Sequence, residues 1–257
     1  MNIFTSRADE AAPAKAALNL LLLCICLILL FWFALSRIGI VFNFSFLPEL
    51  RGRLWNGFLM TVYLSAASLL LSLLLGIISA ALQSGKILIL QYLARLYVTV
   101  IRGTPLIMQI YLFFYIVGEA LGIENRFLCG VLILSVFEGA YIAEIIRGSL
   151  LSMDGTQLEA AKSVGFTKRQ TIRFVILPQL TARTLPALTG QFASIIKDSS
   201  LLSVIAVIEL TQTIREISAV TFKLFECYFV LGILYLLLTL PVSFVSKRLE
   251  RMFHYEN

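Results

Sequence analysis

The stretch Phe127-Leu-Cys-Gly-Val-Leu-Ile-Leu-Ser-Val-Phe-Glu138-Gly-Ala-Tyr-Ile-Ala-Glu144-Ile-Ile-Arg147-Gly-Ser-Leu150 is apolar at most positions. It is longer than the ~20 residues an α-helix needs to cross a bilayer. It holds one carboxylate, Glu138, near its middle, with Glu144 and Arg147 toward its end. Five other stretches reach a similar length: Leu18–Leu35, Gly57–Leu82, Tyr97–Leu121, Ala187–Leu210 and Glu226–Ser246. Together they predict an all-α chain with six membrane spans.

Composition points the same way. Of 257 residues, 59% are hydrophobic and 14% charged, with a mean hydropathy of +0.91; a soluble domain is roughly 45–50% apolar and ~25% charged. Lipid is the expected solvent. Because no Ser-, Pro- or Gly-rich linker separates the stretches, one integral membrane domain is expected. The formal charge of +6 comes from short basic clusters between apolar stretches, a pattern of membrane orientation and not of nucleic-acid binding. Cys24, Cys26, Cys129 and Cys227 lie in or beside apolar stretches and the single histidine is His254. Zinc-site spacing is therefore lacking, and the cysteines read as packing residues. Arg7 and Lys15 before Leu18–Leu35 give it some likeness to a secretion signal, but its apolar run exceeds the usual ~7–15 residues. An uncleaved span is expected.

Lys and Arg set the orientation. With the N-terminus in the cytoplasm, the inner segments hold fourteen of them and the outer segments six, with Lys197 inside a span. Both termini are thus expected inside. The polar segment Ser152–Thr184 then faces the cytoplasm. It is too long for a minimal connection, and long ordered loops are commonly functional. Within it, Thr156 and Glu159 have capping-box spacing, Ala160, Ala161 and Lys162 favour helix, and Gly165 can end that helix in a left-handed conformation. A second box, Thr167 with Gln170, starts another helix that Pro178 limits. A helical hairpin with a low-relief alanine surface results. From the residues alone it is either a docking element for another protein or an ordinary interfacial hairpin.

Glu159-Ala160-Ala161, then three residues, Gly165, and later Leu177-Pro178 resemble the EAA loop of ABC importer permeases, with Val175 where that family usually has Ile. Arg102-Gly103-Thr104-Pro105-Leu106, Ala140 through Gly148 and Lys197 through Ser203 resemble segments of the permeases for polar amino acids. The likeness covers roughly residues 50–250. It implies a five-helix core, taken as residues 51–253 with a coupling loop at about 152–184, preceded by an added N-terminal span within residues 1–50. The resemblance further implies a transmembrane subunit of an ATP-driven importer of a polar amino acid, or of another small polar solute, working by alternating access. Glu159, Ala160, Ala161, Gly165, Leu177 and Pro178 would couple it to a cytoplasmic ABC ATPase dimer. A second permease subunit and an extracytoplasmic solute-binding protein would complete the assembly. No Gly-x-x-x-x-Gly-Lys-Ser/Thr phosphate cradle occurs, so ATP hydrolysis would reside in the partner, with no cofactor here.

Glu138, Lys197 and Asp198 fall near the middle of expected spans, where ionisable groups mark a transport pathway or an internal ion pair. They are candidate substrate-pathway residues; the alternative is that Lys197 pairs with Glu138 or Asp198 to hold helices together. Glu144 and Arg147, at i and i+3, suit a local pair. Gly103 and Pro105 suggest a loosened helix start. A secondary transporter would also carry midplane charges but would not need the capped hairpin; an enzyme is disfavoured because no nucleophile–base set converges.

Overall fold

The computed structural model describes residues 13–39 and 41–254. Helix is the dominant structure, and among the described residues there is no strand. The chain divides into two units, meeting in sequence between Phe44 and Ser45. The first contains α1 (Pro13–Ile38), apolar on every face, as a lipid-facing helix should be.

The second unit is built around α2 (Leu47–Gln83) and α5 (Arg126–Leu151). They can pack closely because α2 turns a row of small residues inward: Gly57, Thr61, Ser65, Ser68, Ser72, Gly76 and Ser79 are buried at three- and four-residue spacing. A methyl built on Gly76 would lie 2.7 Å from Ile142 Cβ, and one on Gly139 would lie 3.0 Å from Leu75 Cβ. Ser135 Oγ donates to the Ser68 carbonyl at 3.2 Å across the same contact. Leu64, Ile110, Leu134 and Leu202 fill the adjoining core and are fully buried. Cys129 and Cys227 are buried as well, whereas Cys24 and Cys26 are exposed.

Two expected spans are not single helices. Tyr97–Leu121 is divided between α3 (Leu88–Arg102) and α4 (Leu106–Leu112), which widens into a π turn over Phe113–Gly118. The two parts meet at a bend of 110°. Pro105 cannot donate to the Ile101 carbonyl four residues back; the buried Gln109 amide donates to it instead, at 2.7 Å, and to Thr104 Oγ1 at 2.7 Å. Ala187–Leu210 is likewise interrupted. After α8 (Leu177–Asp198) the chain tightens into a 3₁₀ segment, Ser199–Ile205, and Ala206 takes a left-handed conformation with φ 55°. A separate helix, α9 (Leu210–Thr221), follows, then α10 (Leu224–His254).

Among the described residues, α1, α2, α5 and α10 are long and apolar enough to cross a membrane, and α3 with α4 has the length and apolarity of a fifth span but is bent, as a broken span or a re-entrant turn is. Helix α8 fails that test because Thr181, Arg183, Thr184, Thr189 and Gln191 lower its apolarity. It packs against α10, α5 and α2 instead of presenting all its sides to lipid. The all-α, polytopic architecture read from the sequence stands.

Candidate functional site

The polar segment after α5 folds as a hairpin. Helix α6 (Gly155–Ser163) is capped by Asp154, whose carboxylate accepts the Thr156 N–H at 3.0 Å. This corrects the expected Thr156–Glu159 box: Asp154 is extended (φ −71°, ψ 125°), so the helix starts ahead of Thr156 and places it in the first turn. The Thr156 amide also holds the Asp154 carboxyl below the usual aspartate range. At the other end Gly165 has φ +84°. Its N–H donates to the Lys162 carbonyl and that of Phe166 to the Ala161 carbonyl, both at 3.0 Å. This is the Schellman closure, which requires a left-handed residue at that point.

The second expected box is present. Gln170 Oε1 accepts the Thr167 N–H at 2.8 Å and Thr167 Oγ1 accepts the Gln170 N–H at 3.4 Å, opening α7 (Lys168–Thr171). Pro178 does not stop the chain there. A π turn over Ile172–Ile176 carries α7 into α8, with Pro178 in the first turn of α8, where its missing N–H is tolerated. The Phe166 and Phe174 rings close the hairpin on itself (centroids 6.4 Å apart), Gln179 of α8 is hydrogen-bonded to Gln157 of α6, and Arg183 Nη1 of α8 donates to Ser152 Oγ, at the end of α5, at 2.9 Å.

Of the expected coupling residues, Ala161 is buried, while Glu159, Ala160, Gly165, Leu177 and Pro178 are exposed. Ala160 and Ala161 line a shallow groove of about 360 Å³ whose far wall is Phe166 and Phe174. The exposed apolar side chains Val164, Phe174 and Leu177 adjoin the same hairpin.

The intramembrane charges are arranged differently from one another. Glu138 is fully buried in α5. Its Oε2 accepts a hydrogen bond from Gln191 Nε2 of α8, its Oε1 has no donor, and the half-buried Asp198 carboxyl lies beside it. Lys197 is exposed and, among the described residues, forms no ion pair. Among the described residues Lys197 makes no salt-bridge contact to Glu138 or Asp198, although its charge acts on the neighbouring Asp198 carboxyl. Two facing carboxyls repel unless a proton or a cationic group lies between them. Glu144 and Arg147 do make the expected local pair, and Arg102 Nη1 adds a 3.7 Å contact to Glu144.

Sequence reasoning missed Gln191, Gln109 and Glu209. Glu209 looked like the end of an apolar span but is the buried N-cap of α9. It accepts from the Thr211 and Gln212 amides at 2.7 Å each and from the Tyr235 hydroxyl at 3.0 Å. Glu-Leu-Thr-Gln, a polar run closing an apolar stretch, was the available signal, but glutamate is not among the residues favoured as caps.

Residues 72–255 match the family described as the inner membrane component of binding-protein-dependent transport systems. The chain is 36% identical over 201 residues to a probable glutamine ABC transporter permease protein, GlnP, of Bacillus subtilis, covering 77% of this chain and 92% of that one. It is 37% identical over 198 residues to the glutamine transport system permease protein GlnP of Escherichia coli K12, covering 76% and 90%. A crystal structure of an amino acid ABC transporter with histidines contains a chain that superposes with a TM-score of 0.77 at 33% identity, covering 83% of this chain and all of that one.

Proposed function

The chain belongs to that family of inner-membrane transport components, and on this premise we propose that it forms part of the translocation pathway of an ATP-driven importer for a polar amino acid. As a family member it is a multi-pass transport component and not an enzyme. ATP hydrolysis belongs to a cytoplasmic ABC ATPase dimer that docks on the α6–α7 hairpin. A second permease subunit, either this chain or a homologue, closes the pathway, and an extracytoplasmic solute-binding protein delivers the cargo. Both termini lie in the cytoplasm. The core begins near residue 51 and α1 is an added span.

The observation that carries this reading is mechanical continuity. The capped hairpin runs without a stop into α8, and α8 holds Gln191 against the buried Glu138 of α5. A push on the hairpin therefore reaches a polar site inside the helix bundle, as alternating access driven from the cytoplasm requires. Amino-acid cargo is supported by the glutamine permeases among the relatives.

Glu138, Asp198 and Lys197 are the proposed pathway residues. With Glu138 and Asp198 facing one another and Lys197 turned out to the surface of the single chain, the site favours a cargo bearing a cationic group that can sit between carboxyls. In proteoliposomes holding the complete transporter, arginine should outcompete glutamine for uptake, and Glu138→Gln should abolish that preference. An arginine preference unchanged by Glu138→Gln removes Glu138 from the selectivity site.

A further inference from the structure

On the hairpin side of the molecule, where α2 ends, α3 ends and α5 approaches its last two turns, lies a cavity of about 610 Å³. Three guanidinium groups border it, those of Arg95, Arg102 and Arg147, against one carboxylate, Glu144. Glu144 is already committed to Arg147, with Arg102 at 3.7 Å. Arg102 is also stacked over the Tyr141 ring, 5.3 Å from its centroid, which fixes the direction of its remaining donors. Among the described residues Arg95 has no ion-pair partner. The decisive group is Gln83. It lines the same cavity, is 8% exposed, and its Nε2 is enclosed without any hydrogen-bond partner. A buried donor left unmade is costly, so its natural complement is an acceptor that enters the cavity.

An unsatisfied donor and an excess of positive charge specify an anion with several oxygens, and a phosphate group matches the fork of arginine. The surroundings specify its source. Helix α3 has 15 residues and is about 22 Å long, short of the ~30 Å hydrocarbon core. Its 110° turn from α4 lays it along a leaflet instead of through it. Leu88, Ile89, Leu93 and Leu96 are exposed along it, so acyl chains and headgroups both reach the cavity mouth. We propose that this cavity binds the phosphate of an anionic phospholipid of the leaflet on the hairpin side, with Gln83, Arg95 and Arg102 as its donors.

The site lies beside Gly103–Pro105, the bend of the α3–α4 pair, and against the α5 residues that lead to the hairpin. Occupancy therefore braces the bend. The test uses the full chain purified in detergent, titrated with phosphatidylglycerol or phosphatidylcholine and followed by native mass spectrometry, with thermal midpoints measured in parallel. Wild type should retain one phosphatidylglycerol per chain in preference to phosphatidylcholine. Arg95→Gln and Gln83→Leu should each weaken that preference about tenfold, as loss of one charge-assisted or buried hydrogen bond predicts. Without lipid, Gln83→Leu should not lower the thermal midpoint, because Nε2 has no protein partner to lose. Retention of phosphatidylglycerol by both variants at the wild-type level overturns the site. Protection of lipid-free wild type by inorganic phosphate to the same extent as by phosphatidylglycerol overturns the headgroup as its source.

Discussion

The Gln191 side-chain amide donates to the fully buried Glu138 carboxyl, joining α8, which is continuous with the α6–α7 hairpin, to the centre of α5. On the proposed function, this bond passes a displacement of one helix to a charge on the other. Gln191→Leu removes the donor and keeps the volume approximately. It should leave insertion and ATPase association intact while uptake per ATP hydrolysed falls at least severalfold. Uptake and hydrolysis still coupled as in wild type would show that this contact carries no signal.

Gly165 tests the hairpin closure. No atom lies within 4 Å of a methyl built there, so a substitution meets strain and not a clash. A β-branched residue held at φ +84° costs roughly 1–2 kcal/mol or more. Asparagine tolerates the left-handed region. Gly165→Val should therefore lose ATPase co-purification, with Gly165→Asn close to wild type. Equal retention of the ATPase by Val, Asn and wild type would rule out the Schellman closure as part of the docking surface.

Gln109 offers a stability test within the membrane. Gln109→Leu leaves the Ile101 carbonyl at the bend without its 2.7 Å donor, a loss of about 1–3 kcal/mol. The thermal midpoint of the detergent-solubilised chain should fall. An unchanged midpoint would mean that the bend holds itself without Gln109.

The α2–α5 contact makes a paired prediction. Gly76→Val forces Ile142 aside and should destabilise the chain strongly, whereas Gly76→Val with Ile142→Ala should recover part of the loss. Purely additive damage in the double variant would contradict direct apposition of the two positions.

Asp154 gives the hairpin a pH dependence. The Thr156 amide lowers its folded pKa, so the cap contributes fully above the ordinary aspartate range. That contribution is lost as pH falls through the lowered value. Hydrogen-exchange protection of the Thr156 amide should decline on acidification in wild type and be insensitive to pH over that window in Asp154→Asn. Matching declines in both would assign the effect to another group.

Much of this arrangement was readable in the residues because lipid enforces simple rules. Long apolar runs located α1, α2, α5 and α10, and the turn chemistry of Gly165 and the Thr167–Gln170 box placed the hairpin. The failures came where one helix answers another. The length of Ala187–Leu210 hid the break at Ala206, since a left-handed alanine carries no sequence signature. Thr184, Thr189 and Gln191 of α8 are buried or half-buried where α8 packs on α10, α5 and α2, which no hydropathy window reports. At the polar site Glu138 stood out as a charge in an apolar run, but its partner Gln191 is 53 positions away. Asp154 pre-empted the expected Thr156 cap because an extended residue just ahead reached the same amide.

The central claim, that an ATPase pushing on the hairpin drives uptake through this chain, is tested most directly by the energy source. Proteoliposomes containing the chain with its ATPase, second permease subunit and solute-binding protein are loaded with ATP and given labelled arginine or glutamine outside, with no ion gradient imposed. The account predicts accumulation that requires ATP and the binding protein and that Gly165→Val abolishes. Accumulation by the chain alone, driven by a proton or sodium gradient without ATP, would contradict it.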